Sequence, residues 1–178
     1  MRARLALEAE GSSIATGIPF FDHMLSQIAR HGKMLLEIEA RGDLEVDAHH
    51  TVEDVGIALG EAALQALSDR LGIARFAHAY APLDEVLARV VLDLSGRGGL
   101  FWRAGFSRPW VGGFDTDLVR EFFCAFARNA RFTLHVDLLA PGNAHHEIEA
   151  VFKAFALAFG EACRIKGSGI PSTKGMLV

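Results

Sequence analysis

Two short stretches, "VDAHHTVED" at 46–54 and "GNAHHEIEA" at 142–150, carry the same Ala-His-His-x-x-Glu. His49, His50 and Glu53 return 96 positions later as His145, His146 and Glu149. On a helix, residues three or four apart share a face, so each glutamate lies beside the histidines of its own unit. Adjacent histidines diverge by roughly 100° about the axis and cannot easily reach one ion from one helix. Each pair therefore suits two different metal ions, or one ion and another partner. A single such unit is weak evidence, because a lone histidine at a helix start is usually capped or solvated. Two units in matching contexts point to metal. Imidazole and carboxylate donors without cysteine leave Mn²⁺, Fe²⁺ or Zn²⁺ open.

The repeat extends beyond the histidines. "HMLSQIARHGKMLLEI" from His23 aligns with "EFFCAFARNARFTLHV" from Glu121 at an offset of 98. Ala29-Arg30 falls on Ala127-Arg128, and apolar positions match along the segment. The alignment sets His23 opposite Glu121, two residue types that can exchange as ligands. The candidate ligands are then His23, His49, His50, Glu53, Glu121, His145, His146 and Glu149. They divide into two sites of four. His31, His78 and His135 fall outside the pattern and read as structural or surface residues.

These ligands need elements to hold them. Alternating strand patterns occur in "RARLALEAE", "EVLARVVLDLS" and "LFWRAGFS". Amphipathic helices follow in "PFFDHMLSQIARHG" and "TDLVREFFCAFARNA", the latter capped by Asp115 or Thr116. Next come the strands "KMLLEIEARG" and "RFTLHVDLLA". A helix opened by each histidine pair then runs to about Arg70 and Arg164. Asp47 and Asn143 lie two residues before the pairs, where an N-cap belongs. The residues from Gly11 to Gly17 read as a loop. The order predicts an α+β fold: an internal duplication of two β-β-α-β-α halves, 1–82 and 83–178, in one compact unit, with helices on one face of each sheet.

A cationic group accompanies the ligands. Arg75 follows the first histidine helix, Arg97 ends a strand in "LSGRGG", and Lys153 lies four residues after Glu149. The tail "KGSGIPSTKGMLV" reads as a loop and holds Ser172, Thr173 and Lys174 near glycines. Backbone amides, a hydroxyl and a lysine could hold a phosphate.

The totals bound the rest. A chain of 178 residues that is 51% hydrophobic can build a sizeable core. Its net charge of -4 predicts no general attraction to nucleic acid or to an anionic membrane. Cys124 and Cys163 lie in apolar helical runs and read as reduced core residues. The N-terminus lacks the apolar run of a signal peptide, which predicts a cytoplasmic location.

The motifs "GIPFFDHML", "DAHHTVEDVGIALG", "APLDE", "LDLSGR", "REFF", "TLH", "HHEIEAVFKAFALA" and "IPSTKG" resemble those of imidazoleglycerol-phosphate dehydratase, an enzyme of histidine biosynthesis. They run in family order over about nine-tenths of the chain. The resemblance implies two similar halves with four-stranded sheets. It implies a homo-oligomer, a 24-mer, with two Mn²⁺ per active site at subunit interfaces. It supports the eight ligands and assigns Arg75, Arg97, Lys153, Ser172 and Lys174 to the phosphorylated imidazole substrate. The family carries a Thr-x-Glu-Thr strand whose glutamate is implicated in proton transfer. Its alignment falls before Met1, which leaves the acid/base group unassigned, with Glu8 and Glu10 near in sequence.

The implied reaction removes water from imidazoleglycerol phosphate to give imidazole acetol phosphate. The departing proton has no adjacent carbonyl, so the substrate's own imidazole must serve as the electron sink, helped by Lewis acids. A dinuclear metallohydrolase and a non-catalytic metal-binding assembly are the alternative readings. The cationic group argues against the second, since storage needs no phosphate site.

Overall fold

The computed structural model describes residues 1–174, so the last four residues of the tail lie outside the described part. The first half runs β1 (Arg2–Ala6), β2 (Gly11–Ala15), α1 (Pro19–Gly32), β3 (Leu35–Glu39) and α2 (His49–Leu67). The second runs β4 (Phe76–Leu83), β5 (Val86–Asp93), β6 (Gly99–Arg103), a short hairpin of β7 (Trp110–Val111) and β8 (Phe114–Asp115), α3 (Asp117–Ala130), β9 (Thr133–Ala140) and α4 (Ala144–Cys163).

The duplication is plain in the pairing. β3 lies between β1, antiparallel, and β2, parallel. β9 lies between β5, antiparallel, and β6, parallel. α1 then matches α3, and α2 matches α4. Even the helix ends agree. Lys33 and Arg131, 98 apart, both adopt the left-handed conformation (φ 54° and 57°) and return their N–H to the preceding turn.

Three expectations need correction. The segment read as a loop from Gly11 is strand β2, a polar edge strand that shows little alternation. β4 was not anticipated as a strand, and it pairs along its length with β5, so the second sheet begins before residue 82. The second sheet has four strands, whereas the first has three among the described residues.

Each sheet carries its two helices on one face, and the helical faces meet. α1 lies along α4, and α2 along α3. α1 reaches the interior with Phe21, Met24, Leu25, Ile28 and Ala29, a helical stripe. Aromatic rings fill the centre: Phe122, Phe123, Phe126, Phe152, Phe155 and Phe159 are fully buried, most of them edge-on or tilted to one another, with Phe122–Phe152 and Phe155–Phe159 stacked. α2 meets α3 differently, backbone to backbone. A Cβ on Gly56 would come 2.7 Å from the Phe122 carbonyl, and one on Gly60 2.6 Å from Asn129 Cβ. Both cysteines are free; burial pushes the Cys163 thiol up to about 12.

Candidate metal centre

Helix α4 opens as its sequence dictates. The Asn143 side chain accepts the His145 N–H at 2.9 Å and caps the first turn. The rings of His145 and His146 then diverge, with planes at 85°. His145 turns toward α1. Its Nε2 lies 3.2 Å from Glu149 Oε2, and the same oxygen lies 3.1 Å from His23 Nε2. His23 comes from α1, which packing against α4 brings alongside. The ligand atoms of His23, His145 and Glu149 all lie within 4.8 Å of one another. The Phe20 ring backs His145 edge-on at 5.2 Å.

Lys153, one turn further along, places Nζ 2.7 Å from the other Glu149 oxygen. Burial alone would raise the Glu149 carboxyl. Hydrogen bonds from Lys153, His23 and His145 outweigh it and hold the group at about 2. Glu149 is therefore an ionised donor at neutral pH.

His146 turns the other way. Its Nδ1 lies 3.3 Å from Glu85 Oε2 and 4.0 Å from Asp84, both on the turn between β4 and β5. The other Glu85 oxygen accepts the Asn143 N–H at 2.7 Å. That hydrogen bond leads the effects that hold the Glu85 carboxyl below the usual range.

The first half repeats part of this. Asp47 accepts the His49 N–H at 2.8 Å, one residue ahead of the Ala48 cap position. The rings of His49 and His50 diverge at 89°. His50 Nδ1 lies 2.9 Å from Asp43 Oδ2, a contact that raises His50 and lowers Asp43. His49, Glu53 and Glu121 are not among the groups of donors that converge within the described residues. Glu121 instead accepts from Arg120 at 2.9 Å.

Of the cationic residues, only Lys153 lies at the ligand cluster. Arg75 has a left-handed backbone (φ 70°) and donates its backbone N–H to the Ala162 carbonyl, in the last turn of α4. Its guanidinium grips Asp93 at 2.8 and 3.3 Å, donates to the Pro171 carbonyl at 2.7 Å and rests on the Phe76 ring. Arg97 is exposed just beyond β5. Ser172 Oγ accepts the Lys174 N–H at 3.2 Å, and Lys174 is exposed. At 1.5 Å per residue, His145 and Ala162 stand about 25 Å apart along α4.

Several residues escaped the sequence reading. Asp43 and Glu85 come from loops of different length, so no repeat marks them. Glu147 is fully buried within the motif and accepts the N–H groups of Ser107 and Gly142, both at 2.8 Å. Thr116 occupies the cap position of α3 but donates its hydroxyl to Arg108; Asp115 takes the Asp117 N–H instead.

The profile of the imidazoleglycerol-phosphate dehydratase family matches residues 16–159, the span that holds both histidine pairs. The chain belongs to that family. Membership in the imidazoleglycerol-phosphate dehydratases makes it a carbon–oxygen lyase of histidine biosynthesis. It is 55% identical to the imidazoleglycerol-phosphate dehydratase of Azoarcus sp. over 179 residues, covering 98% of this chain and 91% of that one. The enzyme of Acinetobacter baylyi is 54% identical over 181 residues, with 99% and 90% covered. The crystal structure of the Staphylococcus aureus imidazoleglycerol-phosphate dehydratase superposes with a TM-score of 0.85 at 46% identity, covering 90% of this chain and 91% of that one. The Pyrococcus furiosus structure gives 0.79 at 31%, covering 98% and 94%. No helix among the described residues is long and apolar enough to cross a membrane.

Proposed function

We propose that this chain dehydrates imidazoleglycerol phosphate to imidazole acetol phosphate, in the cytoplasm, at a dinuclear metal site shared between copies of a homo-oligomer. The observation that carries the reading is the convergence of His23, His145 and Glu149 from two helices that belong to different repeat halves. Two imidazoles and an ionised carboxylate fit Mn²⁺, and Fe²⁺ or Zn²⁺ also match the donors. His49, His50, Glu53, Glu121 and His146 complete the ligand set. When bound, the metals supply Lewis acidity toward the imidazole nitrogens of the substrate.

The chain's own residues do the positioning. Lys153 keeps Glu149 ionised and in place. Arg97, Ser172 and Lys174, with Arg75 anchoring the tail through Pro171, form the phosphate-binding group. Fixing the phosphate holds the reacting carbons in one orientation. Arg75 is hydrogen-bonded to the far end of α4, at Ala162, about 25 Å from His145 by helix length, too far for one small substrate to bridge. This separation supports sites completed by a second copy, as in a symmetric assembly such as a 24-mer.

Two experiments test the reading. The purified protein should convert imidazoleglycerol phosphate, lose that activity on chelation and regain it with Mn²⁺. No conversion with Mn²⁺, Fe²⁺ or Zn²⁺ would sink it. Subunit mixing tests the sharing. Inactive His145→Ala and inactive Lys174→Ala chains, dissociated and reassembled together, should recover roughly a quarter of wild-type activity by random pairing. Recovery of none would place each site within one chain.

A further inference from the structure

The two histidines that turn away from the helix, His50 and His146, share a feature that the repeat does not encode. In each, Nδ1 faces a carboxylate: Asp43 at 2.9 Å and Glu85 at 3.3 Å. The histidines are repeat copies of each other. The carboxylates are not. Asp43 lies seven residues before His50, in the loop after β3. Glu85 lies 61 residues before His146, in the turn between β4 and β5. One is an aspartate and the other a glutamate, and the unequal reach delivers an oxygen to the same ring nitrogen.

We infer that Asp43 and Glu85 are positioning residues that hold the proton of His50 and His146 on Nδ1 and leave Nε2 as the metal-facing nitrogen. The inference rests on the ligand roles proposed above for these two histidines. A neutral imidazole carries one N–H, and a carboxylate can only accept, so the proton resides on the nitrogen that faces it. The opposite nitrogen then offers its lone pair away from the carboxylate. The carboxylate also fixes the plane of the ring. Glu85 is itself anchored, because its second oxygen accepts the Asn143 N–H that opens α4. The turn, the helix start and the ring thus form one hydrogen-bonded unit. Glu85 serves His146 through Nδ1 and does not bind metal itself.

Long-range ¹H–¹⁵N correlation spectra of the chelated, ¹⁵N-histidine-labelled protein test this without activity. Spectra taken at alkaline pH, where the rings are neutral, should show His50 and His146 as Nδ1–H tautomers. Glu85→Ala should move His146 toward the Nε2–H form and leave His50 unchanged. Asp43→Ala should do the reverse. Glu85→Gln, whose amide oxygen still accepts, should restore the Nδ1–H form. Mn²⁺ titration followed by electron paramagnetic resonance should show about 10–100-fold weaker binding for each alanine variant and near recovery for Glu85→Gln. His146→Ala is the control. If it binds Mn²⁺ normally, the ligand assignment fails. If it loses Mn²⁺ while Glu85→Ala keeps the wild-type tautomer and affinity, the ligand assignment stands and the positioning inference is overturned. Weaker binding by Glu85→Gln equal to that of His146→Ala would make Glu85 a ligand, which also overturns it.

Discussion

Helices α2 and α4 begin with the same residues, yet among the described residues only α4 gathers its candidate ligands with a residue of the helix packed against it. At α4 the trio is two imidazoles and one carboxylate, His23, His145 and Glu149, with Lys153 on the second oxygen. At α2 the matching residues are Glu121, His49 and Glu53, one imidazole and two carboxylates. The 96-residue offset places Ile57 where α4 has Lys153. Glu121 accepts instead from Arg120. Duplication thus copied the scaffold and the histidines but not the charge balance. The helix contacts differ in the same way. Gly56 of α2 presses on the α3 backbone, whereas its counterpart Phe152 fills the aromatic core.

The largest expected effect tests whether the halves are chemically equivalent. His145→Ala and His49→Ala should each lower dehydratase turnover by at least ~10²-fold and reduce bound metal. Elemental analysis alongside the assay checks this. Loss in His145→Ala alone would extend the asymmetry from geometry to chemistry and remove His49 from the site.

Buried polar positions sharpen the comparison further. Glu147 and Thr51 occupy matching places. Glu147 satisfies two backbone N–H groups, whereas Thr51 Oγ1 is buried without a partner. Glu147→Gln should cost about 1–3 kcal/mol, because an amide cannot accept with both atoms and one N–H is orphaned. Thr51→Val should be neutral or stabilising, since it removes a hydroxyl that gains nothing. Denaturant unfolding that shows equal losses for both would end the contrast.

The helix crossings come next. Gly56→Ala should destabilise by about 1–3 kcal/mol through overpacking against the Phe122 carbonyl. A thermal midpoint at or above that of the parent chain would show that α2 and α3 can part without cost.

The smallest effects concern the outer sheet faces. On the second sheet, Asp137 is buried between Arg89 and Arg103. Burial would raise its carboxyl, but the two guanidinium groups win and hold it below 3.8. A depressed carboxyl contributes stability above its unfolded value and loses it as pH falls through the lower folded one. The stability gap between the parent and Asp137→Asn should therefore be full at pH 5 and close below 3.8. On the first sheet, the Arg4–Glu37 pair is exposed, and Arg4→Ala should change stability by less than about 1 kcal/mol. A gap for Asp137→Asn that persists unchanged at acid pH would remove the distinction.

The geometry of the histidine pairs was legible because it is written in local spacing. The offset of the His-His-x-x-Glu units, the divergence of adjacent rings and the Asn143 cap all depend on residues within one helical turn. The amphipathic pattern of "PFFDHMLSQIARHG" likewise marked α1, and its buried stripe is Phe21, Met24, Leu25 and Ile28. Strand β2 was not legible, because "GSSIA" is short and polar and is held by hydrogen bonds to β3 rather than by a buried face.

The sequence by itself determined that the chain is duplicated, that its histidines come in diverging pairs, and that carboxylates ride beside them on the same helix. Only the tertiary structure decided which helix supplies His23 with partners, which loops lend Asp43 and Glu85, and that Arg75 is locked to Asp93 and the tail at the far end of α4. Helical periodicity acts over three or four residues and can be read along the chain. Contacts between residues dozens apart arise only when burial of the apolar faces brings helices and sheets together, and no local pattern records which side chains then meet.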